Sequence, residues 1–234
     1  MRLAKASALA GAAALLISAM TALPAAQAQQ DADKKVAGGG ITVKGWQGRV
    51  DTGNRQGLTI NDSKLAPEGT AWRLMTGAAG LYWSPANAGK GDFSVKATFT
   101  EPKQAYNHPH PYGVFIGGKG LDTETPQALY CAAYRNGNYI VRGFSGGKVF
   151  QVVGKPVPND AVKKAESPEA QVVQDVSMSV RGDKVECTIN GASVWSAAKA
   201  DVMGDGKLDS TDGVTGIRVS HNSDALVTNF AVGK

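Results

Sequence analysis

The chain reads as an all-β protein, an antiparallel sandwich or barrel. Three observations lead there. Apolar and polar residues alternate with a period of two through many short runs. Turn formers such as Asn136-Gly137 and Asn190-Gly191 separate those runs at roughly eight- to twelve-residue spacing. Glycine is abundant, 29 of 234 residues, and nothing beyond residue 28 carries a long amphipathic helical stripe. With 42% hydrophobic and 19% charged residues the chain can build a core, which excludes disorder.

Residues 1–28 stand apart. Arg2 and Lys5 precede an Ala-rich apolar run to Leu23, Pro24 breaks it, and Ala26-Gln27-Ala28 supplies a small-x-small cleavage pattern. This predicts a secretory signal peptide and a periplasmic or secreted product. The mature chain would start at Gln29 and hold 206 residues. Two basic residues leave with the signal, so the net charge of +5 falls to +3. That balance is too small and scattered for a nucleic-acid partner. No later apolar stretch approaches the roughly 20 residues that span a bilayer, so no membrane contact is expected after cleavage.

Residues 29–40, ending in Gly38-Gly39-Gly40, read as a flexible lead-in. One domain then runs over 41–234. Phe93, Val95, Ala97 and Phe99 mark a half-buried strand, and Gly113–Ile116 is a short apolar run. Ala128–Tyr134, Tyr139–Phe144 and Val149–Val153 form a meander through Asn136-Gly137 and Gly146-Gly147. Residues 159–170 have room for one short helical turn. A second meander follows: Val176–Val180, Val185–Ile189 and Ser193–Trp195, turned at Gly182-Asp183 and Asn190-Gly191. Gly216–Ser220, a turn near Asn222, and Leu226–Val232 close the chain.

The two cysteines, Cys131 and Cys187, both fall on core-like strand faces. In an oxidising compartment they are either a buried disulfide or two small buried thiols.

The run Gly91–Val95, Gly113–Gly117, Val185–Gly191 and Gly216–His221, in that order, resembles the concanavalin A-like jelly-roll superfamily. Within it the chain is similar to the 3-keto-disaccharide hydrolase domain family. The resemblance covers most of residues 45–232 and implies a jelly-roll sandwich with a carbohydrate-related role. Retaining glucanases of the same fold carry Glu-x-Asp-x-x-Glu on one strand, which places two carboxylates for a covalent intermediate. That motif is absent here; Glu186 is the one acidic residue centred in a strand.

His108-Pro109-His110-Pro111-Tyr112 is the most unusual local string. Proline holds its predecessor extended, and alternation then directs His108, His110 and Tyr112 to one side. His221, the third and last histidine, ends a strand. Such a set can take protons, polarise a carbonyl, hold a metal or bond sugar hydroxyls; otherwise it caps a sheet edge. Arg142, in phase with Ile140 and Phe144, is expected beneath it, as a fork for a carboxylate or sugar hydroxyls or as a snorkelling stem. Trp83, Tyr106, Tyr112 and Asn222 are the candidate sugar contacts, with aromatic faces stacking on sugar rings; for Trp83 and Tyr112 the competing reading is a large core side chain of the sandwich. Asp201, Asp205, Asp209 and Asp212 fall at positions 1, 5, 9 and 12 of a calcium-loop pattern with Gly206 at its turn. Position 3 is Met203, so an acidic strand connection is the competing reading.

Three functions stay open at this level: an exported enzyme cleaving at 3-keto-glycosides, a non-catalytic carbohydrate-binding module, or a structural exported domain.

Overall fold

Alternating side chains in short segments leave each strand one apolar face, and two sheets packed on those faces bury them together. The computed structural model describes residues 32–54 and 57–234. The expected signal peptide lies outside those residues. One compact unit spans Asp33–Lys234.

Its strands are β1 (Gly40–Ile41), β2 (Gln47–Val50), β3 (Lys64–Glu68), β4 (Ala71–Met75), β5 (Gly80–Gly89), β6 (Phe93–Glu101), β7 (Tyr112–Lys119) and β8 (Gln127–Ala133). Then come β9 (Asn138–Ser145), β10 (Lys148–Pro158), β11 (Val172–Arg181), β12 (Lys184–Ile189), β13 (Ala192–Ala198), β14 (Gly213–Val219) and β15 (Asp224–Gly233). A single turn of helix, α1 (Lys199–Val202), precedes β14. The expected helical turn in 159–170 is absent, and the segment is instead tied down by hydrogen bonds from Arg135 to the carbonyls of Ser167, Pro168 and Ala170.

Eight strands form one sheet in the order β1-β3-β4-β15-β6-β11-β12-β13, and seven form the other, β10-β9-β8-β7-β14-β5-β2. All pairings are antiparallel except β1 with β3. That exception arises from the lead-in. Val36 N donates to Asp62 O at 3.0 Å, and Gly40 N donates to Ser63 O at 2.6 Å, so residues 36–41 lie along the sheet edge.

The hairpins show why the turn pairs matter. Asn190 and Gly191 adopt φ of 50° and 86°. Positive φ at both central residues gives a turn whose twist matches the strands. Gly146 and Gly147 do the same at 58° and 79°.

The core between the sheets takes Phe93, Val95 and Phe99 from β6, Val114 and Ile116 from β7, and Met178 and Val180 from β11. Cys131 on β8 and Cys187 on β12 are joined by a disulfide across this core, with Cα atoms 6.2 Å apart. The seven-stranded sheet is apolar on its outer face too. Leu81, Trp83, Phe115, Tyr130, Ile140 and Phe144 form a second buried cluster there, capped by Leu121. Arg49 holds the capping loop by donating to Leu121 O at 3.1 Å.

Candidate functional site

The outer face of the seven-stranded sheet is covered at the Leu121 loop and open at the opposite end. Core-facing Leu129, Cys131 and Ala133 leave Tyr130, Ala132 and Tyr134 outward by alternation. The same rule turns Ile140 and Arg142 outward on β9, and Arg218 and Ser220 at the end of β14. Over these residues lies the His108–Pro111 string. Together they enclose a cleft of about 310 Å³, lined by all three histidines, Arg142, Arg218, Tyr130 and Tyr134.

The histidines are in mutual contact. Ring centroids of His108 and His110 are 4.4 Å apart, and those of His110 and His221 are 4.2 Å apart. Tyr106 stands against this pair, 6.3 Å from His108 and 6.1 Å from His110. Lys34 Nζ sits 4.4 Å from the Tyr106 ring centroid, a cation held over an aromatic face. His221 Nδ1 lies 2.8 Å from Asp33 Oδ1. A carboxylate only accepts, so Nδ1 carries the proton and Nε2 becomes the acceptor of the neutral ring. An acid-oriented imidazole of this kind is suited to take a proton.

The two arginines on the floor differ in charge balance. Arg218 makes a two-point pair with Asp51, at 2.5 and 2.6 Å. Burial works against its charge, and the Asp51 carboxylate more than offsets that. Arg218 also lies over the Tyr130 and Phe144 rings, at 5.2 and 5.1 Å. Arg142 donates to the carbonyl of Gly154 at 2.8 Å and has no carboxylate partner among the described residues. Burial pushes the Tyr134 hydroxyl up from its usual 10.0, and Arg142 pulls part of that back, so Tyr134 keeps its proton at neutral pH.

Four sequence-expected site residues go together: His108, His110, His221 and Arg142 share the cleft, with Tyr106 at its edge. Others do not. Tyr112 turns into the core, 1% exposed and 5.2 Å from the Phe99 ring. Residues 109–111 are not strand, so two-residue alternation does not carry from His110 into β7. Tyr112 instead approaches Glu101, whose carboxylate pairs with Arg135 at 3.1 Å in the interior. Trp83 is on the same face as Arg142 but four strands away through β14, β7 and β8, about 19 Å at the usual strand spacing. It packs with Phe115 and Leu121 instead. Asn222 is a turn residue, φ 47°, whose Oδ1 accepts from Lys34 N at 3.0 Å. It anchors the segment that brings Asp33 to His221.

The Asp201–Asp212 loop spreads its carboxylates. Asp201 accepts from Ala198 N at 3.1 Å and Asp212 from Gly91 N at 2.9 Å. Asp209 pairs with Lys119 at 2.5 Å, which holds its carboxyl below the usual range, and Asp205 is exposed. Val202 and Leu208 are buried, and a bridge joins Met203 to Leu208 within the loop. Among the described residues no group of three His, Cys, Asp or Glu is placed to hold a metal ion.

Sequence reasoning overlooked Asp33, Tyr130 and Tyr134. The tyrosines were available from the strand that orients Cys131 inward. Asp33 carried no signal, since its partner is 188 residues away.

No protein-family model and no curated protein matches the chain. Solved structures do resemble it. The carbohydrate binding module CBM66 from Bacillus subtilis superposes with a TM-score of 0.54 at 12% identity, covering 83% of this chain and 99% of that one. A Bacillus subtilis protein of unknown function with a galectin-like fold gives 0.53 at 16% identity, covering 82% and 90%. The fold is a jelly-roll sandwich.

Proposed function

We propose that this is an exported carbohydrate-active protein that cleaves a glycosidic bond beside a 3-keto sugar, at the cleft of His108, His110 and His221. The observation that carries the reading is the meeting of the three histidines and Arg142 in one cleft, with Asp33 on His221. The likeness to a carbohydrate binding module and the sequence resemblance to 3-keto-disaccharide hydrolases support the substrate class.

The chemistry suits these groups. A ketone acidifies the proton on the neighbouring carbon. His221 Nε2 takes that proton, and the C–H electron pair moves to form an enolate. The enolate then expels the glycosidic oxygen, which takes up a proton. Arg142 stabilises the enolate oxygen as charge develops. Addition of water across the new double bond completes hydrolysis. No pair of catalytic carboxylates is required, in keeping with the missing glucanase motif.

The binding-module reading rests on the CBM66 likeness. The two are separated by assaying glycosides and 3-keto-glycosides with wild type and His221→Ala side by side. Turnover by wild type that falls by roughly 100- to 10,000-fold in the variant supports the enzyme. Binding without turnover, equal in both proteins, supports the module.

A further inference from the structure

Of the two guanidiniums that line the cleft, Arg142 alone has no carboxylate partner among the described residues. Arg218 is paired with Asp51, and Asp33 is hydrogen-bonded to the neutral His221 ring. Arg142 is matched by none among the described residues; its hydrogen bond goes to the neutral Gly154 carbonyl. A neutral sugar would leave that guanidinium without a counter-charge in a half-buried site, whereas a carboxylate would fit its planar fork.

We infer that the cleft also accepts hexuronate-containing glycans, with Arg142 pairing the sugar carboxylate, and breaks the bond to the neighbouring sugar by elimination. This rests on the proton-abstracting reading of the same cleft and extends it to a second acidifying group. A carboxylate neutralised by a guanidinium makes the proton on its adjacent carbon acidic, as a ketone does.

The step balances within the groups present. His221 Nε2 takes the proton from C5, the carbon bearing the carboxylate. The C–H pair forms the C4=C5 double bond. The C4–O bond breaks, its electron pair staying on the leaving oxygen. Tyr134 gives its proton to that oxygen, and its phenolate is then reprotonated from the His221 imidazolium through solvent. No water is consumed and no oxidant or metal is needed. Tyr134 suits the acid role because it lines the cleft and stays protonated at neutral pH. A volume of about 310 Å³ admits a short segment of such a chain.

The test uses the full exported protein with polygalacturonate, a glucuronan and the carboxyl-reduced form of each. Wild type should bind the acidic oligosaccharide about 10- to 100-fold tighter than its reduced counterpart, as expected for a charge-assisted pair. Added salt should shrink that ratio. Wild type should also generate the ultraviolet-absorbing unsaturated uronate at new chain ends. Arg142→Gln should collapse the acid-to-neutral ratio, and Tyr134→Phe should slow appearance of the chromophore more than it weakens binding. Equal affinity for acidic and reduced oligosaccharides in wild type overturns the inference, even if a variant fails to fold. Turnover of 3-keto-glycosides without cleavage of any uronide overturns the inference alone. Failure on every glycan overturns the underlying reading with it.

Discussion

Asp33 shows how much a single residue sets at this site. Its carboxylate fixes the proton on His221 Nδ1 and so makes Nε2 the acceptor nitrogen of the neutral ring. Asp33→Asn keeps the size and removes the charge. It should lower kcat by about 100-fold or more while KM changes little, and move the acidic limb of the pH profile, the limb that a general base sets. An unchanged pH profile would reduce Asp33 to a tether for the lead-in. Two buried tyrosines give a second prediction at this scale. Burial raises Tyr82 from 10.0 to about 12, and raises Tyr112 well above 10.0 with the Glu101 charge adding to the effect. A folded-state pKa above the unfolded one stabilises the fold fully below the unfolded value, and the gain is lost as pH rises through the folded value. Stability should therefore fall between pH 10 and about 12, and these two phenols should ionise only as the fold opens. Absorbance titration alongside circular dichroism would check it; six equivalent phenols titrating near 10 in a folded chain would contradict it.

At the level of strands and turns, Asn190 ties the β12–β13 turn to β11 and to the 159–170 segment. Its side chain donates to Ala161 O at 2.7 Å and to Gln174 Oε1 at 2.6 Å, and accepts from Asp175 N at 2.9 Å. Its φ of 50° is also one that few side chains tolerate. Asn190→Ala should cost about 2–3 kcal/mol in denaturant melts, through orphaned buried partners. Gly113 on β7 is as constrained: a Cβ there would meet the Cys131 carbonyl and the Ala132 Cα, at 2.7 Å for the latter. The meanders from Ala128 to Val153 and from Val176 to Trp195 were legible in the sequence because period-two alternation and Asn-Gly or Gly-Gly turns agree locally. The strands before residue 90 were not legible in detail. β3 holds Pro67, β5 holds Pro85, and β1 is two residues long and parallel to β3, so neither alternation nor a hairpin turn announces them. The lead-in reads as flexible from its glycines, yet its order comes from Asp62 and Ser63 carbonyls that no local pattern reveals. For the site, alternation succeeded within β8, β9 and β14 and failed at Pro111, where the extended proline string stops being strand. That failure displaced Tyr112 into the core, and strand order, which no local pattern encodes, separated Trp83 from Arg142.

For the molecule as a whole, the disulfide is a covalent cross-link between the two sheets. It closes a 56-residue separation, for which chain entropy gives about 4 kcal/mol of stabilisation. Reduction, or Cys131→Ala with Cys187→Ala, should lower stability by roughly that amount. Equal denaturation midpoints with and without reductant would contradict it. The acidic loop is tested by melting as well. Calcium there would have to draw Asp209 from Lys119 and Asp212 from Gly91. A melting point raised by calcium, and a rise lost in Asp205→Ala, is the result such a site requires. Identical curves in calcium and chelator leave the loop a plain connection. The central claim is that sugars are handled where the three histidines meet. The chain has three histidines and all of them line that cleft, so their imidazole NMR signals report on this site and no other. Titration with a 3-keto-disaccharide should shift all three sets of ring signals together, with a common saturation point. Binding that saturates while the three imidazole signals stay unmoved would place the sugar elsewhere and contradict the account.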